Sequence, residues 1–293
     1  MAAEDVASPG HKLGQIVGVL LEQLLADPLK QFATRHQLYC DCKGSRPGVR
    51  TGSKVTWTDS RGNRHDLDYV LERGGSAERR GDPVAFIESA WRRYTKHSRN
   101  KAGELEGALL PLRDTYTTVR FLGAILAGEW SEGGLQQLRS AGIEVLHIPF
   151  QTIVNAFRAQ GLKIDYPESA TTEEKATLNR ILERLSEGQL GSVSTAMWRA
   201  IEQDYRHFER KMANAITEVP FRVRVITLYG DEAVYQTVAE AIRELENPTA
   251  ARELNLAFAR GYEVFIDYAS GSSVTGRFQT KTELVQFLKR VGA

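Results

Sequence analysis

From Lys12 to Phe32 the apolar residues Leu13, Ile16, Val17, Leu20, Leu21, Leu24 and Leu25 recur at helical spacing and predict a helix with a wide buried face. Residues 40–53, rich in Gly, Ser, Pro and Arg, predict a loop. Lys54–Thr58 is β-prone, Ser60-Arg61-Gly62-Asn63 has turn chemistry, and His65–Glu72 alternates as a returning strand with Asp66, Asp68 and Val70 on one face. A charged, glycine-rich loop over 73–82 leads into a short apolar strand, Val84–Ile87, which predicts a central position. Ser98 can cap a helix running through Lys101, Glu104, Leu105, Ala108 and Leu109. Strands at Val119–Leu126 and Ile143–Ile148 then alternate with helices at Gly133–Ser140 and Gln151–Gln160.

That order, helix, three strands, then strand alternating with helix, predicts an antiparallel edge followed by right-handed parallel crossovers. The expected fold class is α/β, a mixed central sheet flanked by helices, with a C-terminal α/β extension. Past a polar stretch at Asp165–Thr172, the pattern predicts helices at Glu173–Ser186, Ser194–Thr217 and Glu232–Leu245. Strands follow at Phe221–Tyr229, Tyr262–Tyr268 and Val274–Gln279, with a turn at Gly271–Ser273 and a closing helix at Thr282–Val291. The expected division is a disordered tail at 1–11, a core at 12–165 and a helical and α/β region at 166–293 suited to DNA recognition or dimerisation. No internal repeat or low-complexity tract interrupts the chain.

Composition narrows the classes. The 293 residues are 42% hydrophobic and 26% charged with a net charge of +1, so any nucleic-acid site must be a local patch on a neutral body. Cys40 and Cys42 form a lone CxC without two further metal ligands nearby, and read as reduced thiols of no set function. No window approaches the ~18 apolar residues of a membrane span. The polar N-terminus has no hydrophobic signal region, which predicts a cytoplasmic protein with no membrane partner.

Chemistry concentrates between Lys54 and Lys101. Asp68 lies on the returning strand, and Glu88 ends the apolar strand, where an unpaired charge beside buried residues is costly. Two carboxylates on neighbouring strands can hold a divalent metal, with Asp66 as the alternative ligand. The run AWRRYTKHSRNK follows Glu88. Its Arg92, Arg93, Lys96, His97 and Arg99 read as a phosphate-contact surface, with Trp91 a packing residue. His65 and His147 read as structural. Trp57 and Arg61 on the hairpin can either enter a groove or face solvent. The aromatic and basic residues from Trp198 to Lys211 read as one core helix with a polar back face, with DNA contact or dimerisation as the alternative.

The order of elements over residues 12–160, with LDYVL and FIES, resembles the PD-(D/E)XK nuclease superfamily, which includes many restriction endonucleases. The resemblance implies a core of helix, three antiparallel strands, helix and strand. It implies that Asp68 and Glu88 are the two motif carboxylates, 20 residues apart. The family's lysine would fall at position 90, where this chain has Ala90. Either the lysine has migrated onto the following helix, with Lys96 and Lys101 as candidates, or the chain carries a disabling Lys-to-Ala change. Migration is favoured, because the basic run supplies replacements within reach. Glu104, three residues after Lys101, shares its helical face and can be a further ligand or an outer partner.

Phosphodiester hydrolysis needs an activated water and stabilised charge on the phosphate, which Mg²⁺ at Asp68 and Glu88 with a nearby lysine would supply. Mn²⁺ is expected to substitute. The expected function is a Mg²⁺-dependent endonuclease of the type II restriction kind, acting on double-stranded DNA as a homodimer. A repair, recombination or mobile-element nuclease of the same fold is the alternative. A catalytically degenerate DNA-binding or assembly protein is the third reading.

Overall fold

The computed structural model describes residues 9–166, 171–228, 231–250, 256, 259–268 and 273–292. Most of the expected tail lies outside them, and from Pro9 the chain is already helical. The chain divides into two compact units, 1–115 with 119–213, and 116–118 with 214–293.

The first unit runs α1 (Pro9–Arg35), β1 (Leu38–Cys42), β2 (Val55–Thr58), β3 (Arg64–Leu67), β4 (Tyr69–Arg73) and β5 (Asp82–Arg92). A 3-10 turn (Thr95–His97) leads to α2 (Ser98–Thr115), β6 (Phe121–Gly128), α3 (Glu132–Ser140), β7 (Glu144–Pro149), α4 (Phe150–Arg158), α5 (Thr172–Glu183) and α6 (Glu187–Thr217). Five strands form one sheet in the order β1-β4-β5-β6-β7. The β1/β4 and β4/β5 pairs are antiparallel, and the β5/β6 and β6/β7 pairs are parallel. The protein is therefore α/β with a mixed central sheet flanked by helices. β6, FLGAILAG, is buried at every position, as a central parallel strand covered on both faces must be.

Three local expectations change. Leu38–Cys42 is an edge strand where the sequence predicted the start of a loop. The β2/β3 hairpin stands as its own two-stranded sheet rather than as the edge of the central one. The returning strand is two strands, because the chain leaves the hairpin at Leu67 and enters the central sheet at Tyr69, with Asp68 at the switch.

Each face of the sheet has its own cover. Toward α1, Gly14 packs on Trp91 and the Tyr69 hydroxyl donates to the Glu22 carbonyl. α6 joins the first unit through Phe208, whose ring lies edge-on to Phe121. Gly123 permits this approach, since a Cβ there would stand 2.8 Å from the Phe208 ring. α5 joins it through a Lys12–Glu183 ion pair. The core therefore extends to about residue 213, past the expected boundary at 165. The opposite face is covered by the hairpin, whose Trp57 meets Phe86 edge-on, and by α2, whose Thr115 hydroxyl accepts from the Ser60 amide.

The second unit is an antiparallel sheet, order β11-β10-β8-β9, of β8 (Pro220–Thr227), β9 (Glu232–Tyr235), β10 (Tyr262–Tyr268) and β11 (Ser273–Phe278). Its core joins Val223, Val225, Val264 and Ile266 to helices α7 (Val238–Glu246) and α8 (Lys281–Val291). Both helices begin with capping boxes, Thr237 with Glu240 and Thr280 with Glu283. The helix expected over Glu232–Leu245 begins only at Val238, because its first residues form edge strand β9. Most of the expected turn at 271–273 lies outside the described residues.

Candidate active site

The β4/β5 pairing ends at Tyr69↔Ile87, so Asp68, at the switch before β4, and Glu88, next along β5, lie just past it, near enough for the Asp68 charge to act on the Glu88 carboxyl. Ser89 orients the first of them. Its amide donates to Asp68 Oδ2 at 2.7 Å and its hydroxyl donates to the same oxygen at 2.6 Å. Among the described residues, Asp68 Oδ1 and both Glu88 oxygens accept no hydrogen bond.

Burial pushes the Glu88 carboxyl up to about 9, the Asp68 charge adds to the rise, and Lys101 opposes it. A half-buried carboxyl beside a second carboxylate resists ionisation unless a cation joins the pair. That electrostatic shortfall, with three carboxylate oxygens unused by the protein, fits a hard divalent cation. Mg²⁺ is commonly held by one or two carboxylates, with water and substrate phosphate completing its shell. Among the described residues, no group of three or more His, Cys, Asp or Glu side chains forms a metal cage.

The structure separates the two candidate lysines. Lys101, on the first turn of α2, is close enough for its charge to act on Glu88, and its Nζ donates to Glu104 at 2.9 Å. Lys101, and after it Arg92, holds the Glu104 carboxyl below its usual value, so Glu104 serves as an exposed anchor for the lysine. Lys96 is exposed on the 3-10 turn, and among the described residues it pairs with no carboxylate. Ala90 is buried on the same strand face as Glu88, two residues on.

Asp66 does not join the pair as an expected ligand. It is exposed on β3, where Lys54 Nζ and the Thr56 hydroxyl each donate to it at 2.6 Å, and it reaches Glu88 only through its charge.

The expected basic surface is also divided, because β5 continues to Arg92 and alternates its side chains between faces. Arg92 falls on the Glu88 face. Arg93 is fixed elsewhere: it donates to the Tyr166 carbonyl at 2.7 Å and lies 3.8 Å over the Phe150 ring. The Arg99 guanidinium lies against Gly133 at the start of α3. The His97 side chain lies outside the described residues. Half-buried Trp91 packs against Phe150, and half-buried His147, on edge strand β7, has its Nε2 bonded to the Gly128 carbonyl.

Two features escaped the sequence reading. Glu22, Lys30, Cys42 and Lys43 line a small cavity with Asp68, bringing α1 to the site. The loop before the hairpin is built on Arg46, fully buried, which donates to both oxygens of Glu72 at 2.8 Å and to Asp41 at 2.6 Å. Arg50 adds a second pair of bonds to Asp41. RPGVR offers only loop composition to a sequence reader, so no signal marked Arg46 as a core residue.

No family model matches the chain, and no curated protein does. Among solved structures the chain is similar to the protein of unknown function AF1548, at 12% identity over 67% of this chain and 98% of that one, with a TM-score of 0.30. At that score the likeness carries no argument. No described helix is long and apolar enough to cross a membrane.

Proposed function

We propose that the chain is a Mg²⁺-dependent endodeoxyribonuclease that hydrolyses phosphodiester bonds of double-stranded DNA, in the manner of a type II restriction enzyme. The observation that supports this reading is the electrostatically coupled pair Asp68 and Glu88, short of positive charge, with Lys101 on α2 acting on Glu88 through its charge. A divalent cation at the pair supplies Lewis-acid activation of water and neutralises charge on the phosphate. Asp68, held by Ser89, offers one fixed oxygen to that cation. Glu88 must lose its proton to bind, so cation affinity rises with pH toward 9. Lys101, steadied by Glu104, neutralises charge on the scissile phosphate or orients the attacking water. It does the work that position 90 would do in the superfamily the sequence resembles.

Each chain has one such pair, and cutting both strands of a duplex takes two, so a two-fold dimer in the cytoplasm is part of the proposal. Light scattering with and without duplex DNA checks it, and a strict monomer that nicks one strand only would overturn it.

The main test is cleavage of supercoiled plasmid in Mg²⁺, read beside gel-shift affinity without metal. Asp68→Ala and Glu88→Ala are each expected to abolish cleavage while sparing DNA binding. Near-normal cutting by either variant, or no metal-dependent cutting by the wild type, would sink the assignment. Discrete bands from a long DNA are the expected mark of restriction, and random nicking would place the same chemistry in repair or recombination.

A further inference from the structure

An open groove of about 940 Å³ lies on the exposed side of the hairpin. Four cations line it, Arg50, Lys54, Arg64 and Arg80, against one carboxylate, Asp66. We infer that this groove is the backbone-binding site of the protein, a cradle for consecutive phosphates of one strand of duplex DNA that leads them to Asp68 and Glu88. The inference rests on the reading of that pair as a phosphodiesterase site.

The groove is built from fixed cations. Arg80 stacks on buried Trp57, its guanidinium 4.6 Å from the ring centre, and so presents its N–H edge in a set direction. Arg50 anchors the wall through Asp41 and the carbonyls of Cys42 and Gly44. Lys54 is held by Asp66. Among the described residues neither Arg64 nor Arg80 pairs with a carboxylate, so both charges are available to a ligand. The other lining residues are glycine or carry hydroxyls, which donate to phosphate oxygens.

The lining points to a duplex. Single-strand binders stack bases on aromatic side chains, and no aromatic side chain lines this groove. Cations and hydroxyls without a stacking platform read the backbone alone. Asp66, on the groove wall, is two residues from Asp68 along the chain, and its charge acts on Glu88.

The test measures binding by fluorescence anisotropy on the full chain in EDTA, so catalysis plays no part. The probes are a labelled duplex of about 20 base pairs and a single strand of the same length, titrated at several salt concentrations. Arg64→Ala/Arg80→Ala is expected to weaken duplex binding about tenfold or more and to reduce the salt slope by about two. The control Arg139→Ala/Arg158→Ala, which removes two exposed cations elsewhere in the same unit, is expected to bind as the wild type does. Because Arg80 packs on Trp57, the single variant Arg64→Glu is measured beside the pair, with circular dichroism to confirm folding; it too is expected to lose affinity. Unchanged affinity and slope in a folded Arg64→Glu would overturn the groove. Tighter binding of the single strand than of the duplex would overturn its assignment to duplex backbone. If binding falls as expected but plasmid is never cut, the groove stands and the nuclease reading fails instead.

Discussion

The first unit carries two pairs of buried or half-buried carboxylates at its central sheet, and they are treated in opposite ways. At the β1/β4 end, Asp41 and Glu72 are 2% and 0% exposed, and two arginines satisfy them. Arg46 bonds both oxygens of Glu72, the Gly81 amide adds a third bond, and Tyr39 covers the guanidinium. Near the β3/β4 switch, among the described residues Asp68 accepts hydrogen bonds from Ser89 and Glu88 accepts none, and Lys101, whose charge reaches Glu88, is already bonded to Glu104. A buried charge costs several kcal/mol unless it is paired. The first pair is compensated inside the protein and serves to close a loop. The second has no such compensation among the described residues, and the proposed cation would supply it.

The comparison breaks if Arg46 proves dispensable. Arg46→Met would strand two buried carboxylates and is expected to cost about 3–5 kcal/mol, read by urea denaturation. A loss below about 1 kcal/mol, the scale of a surface pair, would mean the network does not hold the loop.

Next in size is the lysine. Lys101→Ala is expected to slow plasmid nicking about 100-fold, the low end for removing a general acid–base or charge-stabilising group, while Lys96→Ala stays near wild type. Ala90→Lys is expected to add little to the wild type and to restore part of the rate in the Lys101→Ala background. Strong cutting that appears only with Ala90→Lys would mark the chain as disabled at position 90 and Lys101 as a bystander.

The smallest effect sharpens the contrast most. Glu88 has its carboxyl raised from an ordinary 4.5 to about 9, so the folded state holds the proton more tightly than the unfolded one. Its contribution to stability is complete below about 4.5 and is lost as pH rises through 9. Metal-free Glu88→Gln is therefore expected to melt several degrees above the wild type near pH 9, with the gain shrinking toward pH 4.5. Added Mg²⁺ should raise the melting temperature of the wild type and not of the variant. A lower melting temperature for Glu88→Gln at pH 9 would show that Glu88 is a satisfied structural group like Glu72.

Much of this was legible because local signals agreed. The alternation of apolar strands with amphipathic helices from Glu88 onward predicted the parallel half of the sheet, and β5, β6 and β7 pair that way. Other elements were hidden for physical reasons. Glu72 on buried β4 is neutralised by Arg46 from a loop 26 residues away, a pairing that no local spacing marks. β9 is a four-residue edge strand whose sequence suits a helix, and only pairing with β8 makes it extended.

The sequence by itself determined the fold class and the order of most elements, because hydrophobic period and turn chemistry act within a few residues. Tertiary structure alone decided which charges are neutralised and which are left open. That choice sends Arg46 to Glu72, Lys54 to Asp66 and Lys101 toward Glu88. Coulomb energy and desolvation depend on distance and burial across the folded sheet, and neither is written in the spacing of residues along the chain.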